Sequence, residues 1–246
     1  MPPNLILYDQ CRPSYPPEAL EAAEQLCGVR RGAVVADIGC GSGIFAERLL
    51  AAGYTVVGVE PLEEMRELAA KRLGRHGAYS GVCGSAENTT LEAGSIDLVT
   101  AASALHWFTP SRARTEFRRI LRTPKWVVAL WNFRVSDASA FSRAFEQFWR
   151  EHLGPPPAGN RFKIESDVVP GFFDGDDPSR RSFDNPLLCT EAQLLGLVFS
   201  SSNAPLAGDT RGLELEAAVR ELHREHNDGG TVTVPYQTVL YCGQLT

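Results

Sequence analysis

Val34–Gly43 (VVADIGCGSG) is the stretch whose reading decides the fold. Val34–Ile38 is a short apolar run suited to a strand covered on both faces. Gly39, Gly41 and Gly43 then alternate with Cys40 and Ser42. Glycine reaches positive φ and lets a ligand approach the main chain with no Cβ in the way. Ile44–Ala52 (IFAERLLAA) continues with Phe45, Leu49 and Ala52 at helical spacing and Gly53 as its stop. The next run, Thr55–Glu60 (TVVGVE), ends on a carboxylate. In this order of strand, glycine turn, helix, strand and acid, an open α/β sheet builds a nucleotide site at the carboxyl ends of its strands. An acid at Glu60 can accept hydrogen bonds from both hydroxyls of a ribose.

Working outward, Pro16–Leu26 reads as a helix before the first strand, and Pro61–Leu73 as a helix with acids in its first turn. Tyr79–Cys83 is a weaker strand, Ser95–Ala102 a strong one, Pro110–Arg122 a helix and Trp126–Asn132 a fifth strand. Strands alternating with helices predict a doubly wound parallel sheet with helices on both faces. After Asn132 the rhythm changes. Ala138–His152 is a helix whose Phe141, Phe145, Phe148 and Trp149 form a stripe that reads as core. The stretch from 138 to 181 reads as one helical and irregular insertion. Regularity returns with a strand at Ser182–Cys189, helices at Glu191–Ser200 and Leu213–His226, and a last strand at Thr231–Gly243. One domain over residues 1–246 is the expectation.

With 246 residues, 43% of them hydrophobic, the chain can bury a core. Its net charge of -6 opposes a nucleic-acid partner, which would need a basic stripe to neutralise phosphates. Arg112, Arg114, Arg118, Arg119 and Arg122 cluster at helical spacing and read as a solvated helix face. No apolar run approaches the roughly 18 residues of a membrane span, and MPPNLILYDQ lacks the pattern of a signal peptide. The six cysteines form no C-x-x-C and fit no zinc spacing. His152, His223 and His226 have no partners at ligand spacing. These features predict a cytoplasmic protein with reduced thiols, no metal and no membrane partner.

The glycines run G-x-G-x-G with Asp37 two residues ahead, unlike the dinucleotide pattern G-x-G-x-x-G. This resembles the first motif of class I S-adenosylmethionine-dependent methyltransferases. The resemblance extends to Glu60 as the ribose-binding acid and to GSAENTTL (Gly84–Leu91) as the adenine-side segment. It also covers SIDLVTAASALHWF (Ser95–Phe108), the fourth-strand motif, and EFRRILRTPKWVVALWN (Glu116–Asn132), the helix and strand that follow. Arg122-Thr123-Pro124-Lys125 stands where the family has R-P-G-G, away from the cofactor edge. YDQCRPSYP (Tyr8–Pro16) and VPYQTVLYCGQL (Val234–Leu245) resemble the first segment and last strand of a subgroup acting on small molecules.

The resemblance implies a Rossmann-like, seven-stranded sheet with its last strand antiparallel, and residues 1–30 as a cofactor-covering segment. It implies S-adenosylmethionine as cofactor and a small-molecule methyl acceptor. The implied cofactor residues are Tyr8, Arg12, Asp37, Gly39, Cys40, Gly41, Glu60, Pro61, Met65, Ser85, Ala86, Glu87 and Ala102. Tyr15, Trp107 and Asn132 are the candidate acceptor contacts, with Arg134 leaving the same strand edge. His106 is the candidate catalytic residue: either a general base or a hydrogen-bonded wall residue that moves no proton. Two alternatives stay open. One is a protein that binds S-adenosylmethionine without transferring the methyl group; the other is a nicotinamide-dependent oxidoreductase.

Overall fold

The computed structural model describes residues 5–154, 161–175 and 177–246. In chain order the elements are α1 (Leu5–Cys11), α2 (Pro17–Cys27), β1 (Val34–Ile38), α3 (Ile44–Ala51), β2 (Thr55–Val59), α4 (Glu63–Leu73) and β3 (Tyr79–Val82). Then come β4 (Ile96–Ala102), a 3-10 turn at Leu105–Trp107, α5 (Pro110–Ile120), β5 (Leu121–Arg134) and α6 (Ala140–Leu153). Short turns follow: α7 (Arg161–Lys163), a π turn (Ile164–Val168) and α8 (Val169–Phe173). The chain closes with β6 (Ser179–Asp184), β7 (Leu187–Thr190), α9 (Glu191–Phe199), α10 (Thr210–His226), β8 (Thr231–Val234) and β9 (Tyr236–Gln244).

Seven strands form one sheet in the order β3-β2-β1-β4-β5-β9-β6. It is a mixed, Rossmann-like sheet with the last strand antiparallel. β1 lies between β2 and β4, parallel to both, which is why VVADI is apolar and buried almost throughout. The chain steps from β3 across β2 and β1 to β4, so strand order reverses beside the glycine turn, where such sheets place their ligands. β7 and β8 pair separately as an antiparallel ribbon.

The described residues cluster into two compact units. One draws on 14–132, 158–183 and 238–246, and the other on 1–13, 133–157 and 184–237. In the first, Val35, Phe45, Leu49, Val56, Leu73, Leu98, Val128 and Leu240 form a core beside β1. In the second, the aromatic stripe of α6 packs with Leu194, Leu197, Leu215 and Val219 of α9 and α10. All four stripe residues are buried, so they build a core. Residues 138–181, expected as one insertion, divide between the units: α6 falls in the second, α7 and α8 in the first.

Two strand expectations are corrected. Ser182–Cys189 is two strands in two sheets, β6 and β7, and Thr231–Gly243 is likewise β8 and β9. Pro186 and Pro235 sit at the breaks. Proline has no N–H to give a ladder, so each ends one pairing and lets the chain change sheets. The solvated-face reading of the basic cluster holds for Arg112, Arg119 and Arg122, which are exposed, and fails at Arg114. Arg114 is buried and pairs with Asp174 at 3.0 Å, Arg119 pairs with Glu116, and Arg122 pairs with Asp97 at 2.7 Å. Among the described residues no helix is long and apolar enough to cross a membrane.

Candidate functional site

Each turn of the glycine loop needs left-handed backbone: φ is 68° at Gly39, 54° at Gly41 and 84° at Gly43. The three differ in what a side chain would meet. A Cβ on Gly39 would stand 2.8 Å from Ala104 Cβ, and one on Gly43 2.6 Å from Leu73 Cδ1. Those two glycines let the loop pack on the turn after β4 and on α4. A Cβ on Gly41 would meet nothing within 4 Å, so this glycine opens onto free space. The loop hangs from β2, since the Gly39 and Cys40 amides both donate to the Val59 carbonyl.

Two carboxylates stand behind the loop. Glu60 is buried, and its two oxygens accept from the amides of Gly41 (3.1 Å) and Leu62 (3.0 Å). Each oxygen has a second lone pair, so Glu60 can bind the loop and still accept two hydroxyls. Asp37, at 0% exposure, accepts the Thr100 hydroxyl at 2.8 Å on Oδ1. Its Oδ2 has no hydrogen-bond partner among the described residues. Burial pushes the Asp37 carboxyl up to about 7; the Thr100 hydroxyl works against this and the nearby Glu60 charge adds to it. Cys40 is buried and burial raises its thiol, so it contributes backbone and packing rather than a thiolate.

Met65 is buried on α4, and Pro61 is exposed at its approach. The 85–89 segment is held at both ends. Ser85 and Asn88 bridge each other, and Glu87 accepts the Thr109 amide at 2.7 Å. Thr89 gives its amide and hydroxyl to Glu116 at 2.9 and 2.6 Å. Arg119 clamps Glu116 with two hydrogen bonds of 2.7 Å. That clamp, with the Thr89 bonds, holds the Glu116 carboxyl down at about 2. Ala86 is buried between these ties.

At the end of β4, Ala102 is half-buried, and the next residue, Ser103, sits at φ 53° and meets the Tyr15 hydroxyl at 3.0 Å. Tyr15 is itself buried against Phe45. His106 is half-buried, and the Trp131 indole donates to its Nδ1 at 3.3 Å. Burial and then the Lys163 charge push the imidazole down to about 4. Trp107 is 77% exposed, so it does not pack under α5; Phe108 does, edge-on to Phe117 at 6.2 Å. Asn132 donates to the Ser14 carbonyl and accepts the Thr238 hydroxyl, which braces β5.

Asp37, Gly39, Cys40, Gly41, Glu60, Pro61, Met65, Ser85, Ala86, Glu87, Ala102, Tyr15, His106, Trp107 and Asn132 thus belong to one unit. Arg12 belongs to the other, where its guanidinium donates to the Ser200 carbonyl. Arg134 is also there, with its guanidinium 3.8 Å from the Trp149 ring centre. The side chain of Tyr8 lies outside the described residues. Sequence reading missed Thr100, Glu116 and Trp131. The β4–β5 register supplies a signal for the last: Ala102 pairs with Leu130, which puts Trp131 beside the turn that carries His106.

Comparison with known proteins agrees with this architecture. Residues 36–129 match the family model of a methyltransferase domain. An uncharacterized methyltransferase of Mycobacterium tuberculosis is 37% identical over 127 residues, 52% of this chain and 49% of that protein. The chain thus spans about half the length of the curated relatives it matches. A candidate type II methyltransferase from Anaeromyxobacter dehalogenans superposes with a TM-score of 0.76 at 20% identity, covering 95% of this chain and 98% of that one. A SAM dependent methyltransferase from Aquifex aeolicus gives 0.55 at 12% identity, covering 98% and 97%. At those identities the likeness is one of fold. The sequence match to a methyltransferase domain thus covers β1 to β5, and the chain shares the fold of these methyltransferases.

Proposed function

We propose that the protein transfers a methyl group from S-adenosylmethionine to a small-molecule acceptor. The observation that carries this reading is the Gly39–Gly43 loop with Glu60 bonded to its middle amide. The residues present fit the cofactor in three ways. Gly41 leaves space that a Cβ would fill, Asp37 Oδ2 lacks a partner among the described residues, and Glu60 retains free lone pairs. Glu60 would take the ribose hydroxyls, Ala86 and Met65 would pack on the base, and Asp37 with the loop amides would hold the amino-acid end. The sulfonium supplies an electrophilic methyl group, so the chemistry is the cofactor's and the protein's work is orientation. Aligning two bound reactants is worth roughly 7–11 kcal/mol of barrier. The turn at 105–107 follows β4 at the ligand edge, where His106 and Trp107 would meet the acceptor. The net charge of -6 supports a small molecule over a nucleic acid.

Calorimetry with S-adenosylhomocysteine, beside NAD as a control, tests the cofactor. Incubation with methyl-labelled cofactor and an acceptor panel tests the transfer. Binding of S-adenosylhomocysteine with label in a small product is the expected outcome. Tight binding with no label in any acceptor would leave a cofactor-binding protein without transfer, and binding of NAD instead would remove the proposal.

A further inference from the structure

His106 and Trp131 meet from different elements, the turn after β4 and the end of β5. An indole N–H only donates, so an imidazole nitrogen that receives it must offer a lone pair. With the Trp131 indole on Nδ1 at 3.3 Å, the single proton of the neutral ring sits on Nε2. Nε2 has no hydrogen-bond partner among the described residues, and the ring is half-buried, with Trp107 4.9 Å away. A general base at this point would need a bare Nε2 lone pair, and the Trp131 bond disfavours that tautomer. Lys163 of α7 adds positive charge to the surroundings of the ring.

We propose that Trp131 is a positioning residue that fixes His106 as the Nε2–H tautomer, so that His106 meets the methyl acceptor as a hydrogen-bond donor. The acceptor is then an oxygen acid already ionised at neutral pH, a carboxylate in the simplest case. This rests on the methyltransferase reading only for its second half. The balance needs no base. A lone pair of the acceptor oxygen forms the O–CH3 bond, the electron pair of the breaking C–S bond stays on sulfur, and the two charges cancel with no proton left over. A neutral alcohol would have a proton to lose during the transfer, and His106 held in this way has no lone pair to take it; an amine has a single lone pair, which a donor at its nitrogen would occupy. Its burial and Lys163 also keep the ring neutral near pH 7.

The test begins without turnover. In protein labelled with 15N-histidine, long-range proton–nitrogen spectra at pH 7 report which ring nitrogen is protonated. His106→Gln identifies the resonances by their loss. Nε2 protonated and Nδ1 bare is the expected result, and Trp131→Phe, which keeps a ring edge toward Tyr241, should move His106 toward a mixture of tautomers. A protonated Nδ1 or an imidazolium in the parent protein would overturn the proposal. The second arm is methyl-labelled cofactor with paired carboxylic acids and amines of the same carbon skeleton. Transfer to acids, with His106→Gln within tenfold of the parent and His106→Ala at least a hundredfold slower, supports a donor. Transfer to amines alone, or Gln as slow as Ala, overturns it. No transfer to either class, with Nε2 protonated, would defeat the methyltransferase reading and the acceptor assignment while the Trp131–His106 pairing stood.

Discussion

Three glycines two residues apart look equivalent on paper, and at the scale of single residues they are not. Gly39 and Gly43 are required by packing, because a Cβ on either would collide with Ala104 or Leu73. Gly41 has no packed neighbour, so beyond its left-handed backbone it is required only by what approaches it. Gly41→Ala should therefore cost the fold about 1 kcal/mol, the price of left-handed backbone, while cofactor affinity falls at least tenfold. Urea denaturation beside S-adenosylhomocysteine calorimetry separates the two effects; equal affinity in the variant would show that no ligand reaches this point. Asp37 gives a second prediction. Burial holds its carboxyl at about 7 in the folded protein, against about 3.9 in an unfolded chain. The folded state therefore binds the extra proton, and stability from this group declines as pH rises from about 4 to about 7. The total cost is on the order of 4 kcal/mol. Asp37→Asn should flatten that decline in denaturation curves collected from pH 4 to pH 8 without cofactor. A parallel decline in the variant would assign the slope elsewhere.

At the scale of elements, the 85–89 segment is positioned by a helix that follows it in sequence. Glu116 of α5 takes two hydrogen bonds from Thr89 and is clamped by Arg119. Glu116→Gln weakens both and should destabilise the protein by about 1.5–3 kcal/mol at pH 7, the usual worth of hydrogen bonds to a charged group. The sign follows from a carboxyl held down at about 2. Its contribution is complete above about pH 4.5 and is lost as pH falls through 2, so parent and variant should converge in acid. Melting temperatures across that range check this, and a gap that persists at pH 2 would mean the glutamate acts through shape alone. The strand breaks at Pro186 and Pro235 belong to this scale too. Both prolines are plain in the sequence, yet which sheet each flanking strand joins depends on partners far away along the chain, β9 and β6 in one case and β7 and β8 in the other.

For the molecule as a whole, every cofactor candidate with a described side chain except Arg12 falls in the unit that contains β1 to β4. A ligand that binds only the folded state stabilises it by about 2.7 kcal/mol at a concentration one hundred times its Kd. S-adenosylhomocysteine should therefore raise the melting temperature and slow hydrogen exchange most within residues 34–108. Protection confined to α6, α9 and α10 would place the ligand in the other unit. The amino-acid sequence by itself determined the glycine loop, the acid at Glu60, the alternation of strands and helices through Trp126–Asn132, and hence the match to a methyltransferase domain. Those features are local: periodicity, glycine spacing and an acid at a strand end depend on neighbours within about twenty residues. Only the tertiary structure decided that α6 belongs to one unit and α7 and α8 to the other. It also decided that Arg114 is buried and that Gly41 alone of the three glycines faces open space. And it put the Trp131 indole on His106, 25 residues away in sequence. Such pairings follow from strand register and from the packing of remote side chains, which no local pattern encodes.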